Sequence, residues 1–255
     1  MEFNLNTIKI NNKIEIKVLD LVWLIIIPII NINYFIASIL TKNGHNITTS
    51  IDNKIRFNSI FVIPYVYWYV YIIVGFIIIL IRSRQDYIKV FLSFFIGMCI
   101  CYIFYYIYPT EITRPIVENN NILNVLVNNI YSADKPVNCF PSLHVLTTYF
   151  IMRYTKYKDS RKVFYYTQIV GVLIILSTVF IKQHFVLDII GAIILCEIVM
   201  LFIKRVDDNK INRILDIPYK IKDKIVVFIS NKNQISSKDI INEEKREEDE
   251  VLRNK

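Results

Sequence analysis

The residues best suited to chemistry lie in a short polar island, Lys182-Gln183-His184-Phe185-Val186-Leu187-Asp188, between two strongly apolar runs. Ionisable side chains at the edge of a membrane segment are costly to bury, so they usually face a partner or a wet cavity and mark function. If the chain from Phe185 onward is helical, His184 and Asp188 lie one turn apart on one face, where the carboxylate orients the imidazole and favours its charged form. An imidazole held in this way is equipped for proton transfer or nucleophilic attack. A second histidine, His144, lies upstream in Cys139-Phe140-Pro141-Ser142-Leu143-His144, again at the mouth of an apolar run. The chain has only three histidines, and the third, His45, is read as incidental.

The elements that must position these residues are long apolar stretches. Hydrophobic residues make up 54% of the 255-residue chain. They fall into continuous runs at 18–40, 59–81, 88–108, 141–154, 163–181 and 185–203. Most are near the roughly 20 residues that cross a bilayer as a helix. The fold expected is therefore all-α, a polytopic membrane protein with a six-helix transmembrane bundle over 18–203. A short cytoplasmic N-terminus, 1–17, precedes it and a charged cytoplasmic tail, 204–255, follows. The runs are too long and continuous for the alternating strands of a membrane barrel. The run at 141–154 is the shortest, and its Arg153 would have to snorkel to the interface.

The net charge of +8 does not imply nucleic acid, because the basic residues sit in short loops between the apolar runs. Arg82, Arg84 and Lys89 follow the second run, Arg153 to Lys162 the fourth, and Lys204-Arg205 the sixth. By the positive-inside rule these loops and both termini are cytoplasmic, and the segments carrying Arg114, His144 and His184 meet at the extracytoplasmic face. The first loop, with Lys42, Lys54 and Arg56, dilutes the contrast, and its Asn46-Ile47-Thr48 is a chance match to a glycosylation acceptor. Cys99, Cys101 and Cys196 lie in apolar runs as small hydrophobes, and Cys139 is read as a packed thiol. Beyond the bundle, about 211–229 reads either as an amphipathic surface helix or as a linker, and 230–255 as disordered.

Pro141-Ser142-Leu143-His144, followed by Ser177-(x6)-His184-(x3)-Asp188, resembles the type 2 phosphatidic acid phosphatase (PAP2) superfamily, and Arg114-Pro115 fits the end of that family's first motif. The resemblance implies phosphoryl transfer from a lipid phosphate within the membrane, with no cofactor and no metal. It makes His184 the nucleophile, with Asp188 stabilising the cation that forms, and His144 the acid that protonates the leaving oxygen. Arg114, Ser142, Ser177, Thr178 and Lys182 would surround the phosphate, helped by the free N–H groups of helix N-termini near Pro141 and Phe185. Two family cations are missing, since Ile107 and Thr178 stand at the lysine and arginine positions. Lys182, one helical turn after Thr178, is the expected replacement for one, and Lys135 for the other.

These residues and the resemblance leave three readings open. The first is hydrolysis of a lipid phosphate mono- or diphosphate ester. The second is transfer of a phospho-head group to an alcohol, as in the sphingolipid synthase branch, which the Ser-Leu-His form and the missing cations resemble. The third is a non-catalytic lipid transporter or scaffold. The expected partners are a lipid phosphate and the surrounding lipids, with no nucleic acid.

Overall fold

The computed structural model describes residues 3–4, 7–10 and 14–230. The fold is helical. Five helices are long and apolar enough to span a membrane: α1 (Val22–Leu40), α3 (Val62–Arg82), α4 (Arg84–Ile107), α7 (Arg161–Phe180) and α8 (Val186–Lys204). Shorter helices are α2 (Ser50–Lys54), α5 (Ile122–Ala133), α6 (Leu143–Tyr154) and α9 (Asp208–Leu215), and a last one, α10, runs over 217–230. Three short antiparallel strands, β1 (Phe3–Asn4), β2 (Thr7–Ile10) and β3 (Ile14–Lys17), form a meander ahead of α1, an addition to the all-α expectation.

The sixth expected span is the exception. The run at 141–154 forms α6, whose 12 residues rise only about 18 Å against a hydrocarbon thickness of about 30 Å. It is the core of the bundle, packed among α3, α4, α7 and α8. A short apolar run is equally suited to a buried helix and to a membrane span, so hydropathy alone could not separate them. Close approach is made possible by glycines on the surrounding helices. A Cβ at Gly75 of α3 would stand 2.5 Å from Ile151, and one at Gly171 of α7 2.5 Å from Met152. Small residues at helix contacts are a general device for packing in lipid.

The ends of α6 fix the polarity of the bundle. Tyr105 near the end of α4 donates to the Pro141 carbonyl at 2.7 Å, and Tyr154 meets Ser93 on α4 at 3.0 Å. Antiparallel to α4, the segment carries the chain from the end bearing His144 to the opposite end. There Lys156 pairs with Asp86 and Arg82 with Asp159. At that same end Asp20, fully buried, is held by Arg84 at 2.8 Å and by the Tyr219 hydroxyl of α10 at 3.1 Å. Ile211 and Leu215 of α9 are buried against the core, so the segment read as a surface helix or a linker is helical and packed at its start. Of the stretch expected to be disordered, 230–255, Ser230 ends α10 and 231–255 lie outside the described residues.

The long third loop contains an unexpected helix. In α5, Val127 is buried, and Leu123, Ile130 and Tyr131 pack with it against Val62, Tyr65 and Ile181, covering the ends of α3 and α7. Its asparagines obscured the apolar face in the sequence.

Candidate active site

α7 ends at Phe180, and the chain reverses through Lys182, whose φ of 53° lies in the left-handed region. Gln183 and His184 both donate their backbone N–H to the Thr178 carbonyl, at 2.9 and 3.0 Å, which closes the turn before α8 begins. Asp188 caps that helix, its Oδ2 accepting from the Phe185 N–H at 2.8 Å. The same oxygen lies 3.2 Å from His184 Nδ1, and the Cys139 carbonyl lies 3.1 Å from that nitrogen on another side. A carbonyl and a carboxylate can only accept, so Nδ1 carries the proton and a neutral His184 has its lone pair on Nε2. This is the tautomer that a nucleophilic imidazole requires.

His144 comes to the same place from the first turn of α6. Its ring lies 5.8 Å from that of His184, centroid to centroid, and is flanked by Tyr65 at 4.6 Å and Trp68 at 4.4 Å. Both histidines line a first cavity of about 310 Å³, with Arg114, Asp134, Lys135 and Gln183 also in its wall. A second cavity, of about 490 Å³, shares Arg114 and His184 and is otherwise bounded by more polar residues such as Asn53, Asp52 and Thr113.

Arg114 is almost wholly buried and held in a fixed pose. Nη1 donates to the carbonyls of Tyr131 at 3.1 Å and Asp134 at 2.6 Å, and Nη2 donates to Gln183 Oε1. Its guanidinium stacks over Tyr131 and lies 3.9 Å from the Asp134 carboxylate. Burial pushes the Asp134 carboxyl up from its ordinary value, opposed by a hydrogen bond from Tyr34 and by the charge of Arg114.

The other expected phosphate ligands make hydrogen bonds within the protein. Ser142 is fully buried and caps α6, accepting from the Val145 N–H at 3.3 Å. Ser177 and Thr178 are buried and donate back to their own helix, to Ile174 and Ile175. The Lys182 ammonium reaches the first loop, where it donates to the carbonyls of Asp52 at 3.0 Å and Ile55 at 2.6 Å, beside the second cavity. Lys135 does line the first cavity, with its ammonium 3.2 Å from the Ser38 carbonyl. The N-terminus of α8 is already engaged, since the Val186 N–H donates to Asp52 at 2.8 Å and Phe185 N–H to Asp188.

Asp52, Asp134, Tyr65 and Trp68 were not singled out in the sequence: Asp52 reads there only as the end of a capping box from Thr49, and α3 is apolar on every side, so the face carrying Tyr65 and Trp68 does not stand out. Cys139, His184 and Asp188 bring one potential metal-ligand atom each within 4.8 Å. Burial, followed by the charge of Asp188, holds the Cys139 thiol well above its ordinary value, so a metal there would have to displace a firmly held proton.

The site spans α3, α6, α8 and the loops between them, and a family model for the PAP2 superfamily matches residues 44–202. The chain belongs to the PAP2 superfamily. The match takes in α2 to α7, α8 up to residue 202 and all the expected site residues, leaving out α1 and the tail. No curated protein and no solved structure matches the chain. Membership in the PAP2 superfamily supports a phosphatase-type activity on lipid phosphates in general.

Proposed function

We propose that this PAP2 protein is an integral membrane phosphatase that hydrolyses a phosphate or diphosphate ester of a lipid through a phosphohistidine at His184. In the first step His144, whose burial favours the neutral form in the free protein, takes up a proton as the anionic phosphate binds beside it. His184 Nε2 then attacks phosphorus, the bond to the lipid oxygen breaks, and His144 gives that proton to the departing oxygen. In the second step His144 takes a proton from water, which attacks the phosphohistidine, releases phosphate and restores the lone pair on Nε2. Asp188 stabilises the positive ring between the steps, and Arg114 binds phosphate oxygens. The reaction uses no metal. By the positive-inside rule the site faces the extracytoplasmic side and both termini the cytoplasm.

The observation that carries this reading is the pair of acceptors on His184 Nδ1, Asp188 Oδ2 and the Cys139 carbonyl, which leaves the Nε2 lone pair for the cavity. The test is phosphate release from short-chain lipid phosphates and a polyprenyl diphosphate by detergent-purified protein in EDTA. Wild type should turn over at least one, and His184→Ala should lose about 10³-fold or more. Equal release by both proteins would defeat the phosphohistidine mechanism.

The second cavity favours one alternative. It reaches His184 from another side, and Asn46, Thr48, Asp52 and Asn53 in its mixed wall suit a water-soluble acceptor alcohol in place of water. Transfer would then yield a new phosphodiester, and adding candidate polyols would divert product from free phosphate.

A further inference from the structure

The two positions that hold cations in the family contribute no charge here. Ile107 is 76% exposed at the end of α4, and the Thr178 hydroxyl is spent on its own helix. Gln183 stands next to the nucleophile and has the opposite character. It is only 3% exposed and lines the first cavity with His144, His184 and Arg114. Lys182 and Gln183 are neighbours in sequence yet serve different cavities, because the left-handed residue between α7 and α8 turns the chain between them.

The two ends of the Gln183 amide differ. Its oxygen accepts from Arg114 Nη2, and because a guanidinium can only donate, this contact fixes which end of the amide is which. Its nitrogen, Nε2, is buried without a hydrogen-bond partner among the described residues, and so is Arg114 Nε. A buried amide N–H left unpaired costs free energy unless something fills the site. Two such donors, on side chains already bonded to each other and beside the His184 imidazole, call for an acceptor brought in by a ligand, and the oxygens of a phosphate supply it.

We propose that Gln183 is a phosphate-binding residue of this enzyme, its side-chain N–H donating to a substrate phosphate oxygen in place of a missing family cation. This rests on the reading that the first cavity holds a lipid phosphate. Arg114 has two tasks on this view. It presents Gln183 in the correct orientation and binds the same phosphate beside it.

The test separates donation from support of Arg114. Gln183→Glu keeps an oxygen for Arg114 and nearly the same shape, but replaces the N–H₂ by a second, negatively charged oxygen. Gln183→Met keeps the volume and removes both functions. Each is combined with His184→Ala, to prevent turnover, and titrated with dihexanoyl phosphatidic acid, with thermal unfolding as the check on folding. The expected result is that the His184→Ala parent binds, that Gln183→Glu weakens binding by at least about tenfold without a lower Tm, and that Gln183→Met also weakens it. Glu binding as tightly as the parent would show that Gln183 only holds Arg114, and would overturn the proposal while leaving the phosphatase reading intact. No binding by the parent itself would overturn the lipid-phosphate reading, and the proposal with it.

Discussion

Replacing Asp188 by asparagine isolates the contribution of one charge to the proposed intermediate. The carboxylate is fully buried, and its Oδ2 lies 3.2 Å from His184 Nδ1. Two unit charges at that separation attract by about 5 kcal/mol at an effective dielectric of about 20. A neutral, attacking imidazole feels little of this, whereas the imidazolium formed on phosphorylation feels all of it, so the interaction favours the transition state. An amide oxygen in the same place retains part of the attraction as a charge–dipole term, leaving a net loss of about 2–4 kcal/mol, or about 30- to 1000-fold in kcat. The wrong tautomer is not expected to take over, because the Cys139 carbonyl still requires a proton on Nδ1. Stability should hardly change: asparagine still caps Phe185, and the Oδ1 it replaces had no partner. The assay is steady-state phosphate release with a parallel measurement of Tm in detergent. A kcat within about fivefold of wild type, at unchanged Tm, would refute the assignment of Asp188 as the charge that stabilises the phosphorylated ring.

Three other outcomes follow from the geometry. The Asp134 carboxyl is raised in the folded state, so the stability it contributes is fully present below the ordinary carboxylate pKa and is lost as pH rises through the folded value. The Tm of Asp134→Asn should therefore match wild type in acid and exceed it increasingly at higher pH, and a constant difference across a pH series would contradict this. Gly75→Val drives a side chain into Ile151 and should cost about 1–3 kcal/mol, with Ile151→Ala in the same protein recovering part of it; additive losses in thermal unfolding would count against the contact. Lys182→Ala should lower Tm by a few degrees, since it removes two hydrogen bonds to the first loop, yet keep phosphate release within about threefold. A loss of turnover greater than tenfold would return Lys182 to the phosphate.

Some of this protein is written in local sequence. Long apolar runs must form helices in lipid, because a helix satisfies its own backbone there, and five of the expected spans have the required length. The His184–Asp188 pair was equally legible, being set by one turn of helix. The meeting of His144, His184 and Arg114 at one end followed from counting crossings, and it survives the shortness of α6 because that segment still carries the chain from one end of the bundle to the other.

The direction in which each polar side chain points was not written there. Ser142, Ser177 and Thr178 have the right identity and spacing for a phosphate site, but a hydroxyl in a dry interior takes the nearest backbone partner, and in each case that partner is local. Lys182 goes to carbonyls 127 and 130 positions away in sequence, and Gln183 to a guanidinium 69 positions away. No periodicity encodes such pairings, which exist only once the first and third loops fold over the ends of α7 and α8. The sequence by itself determined the five long apolar helices and the His184–Asp188 pair; the tertiary structure alone decided which donors remained unpaired beside that pair, because that depends on which partners packing had already supplied.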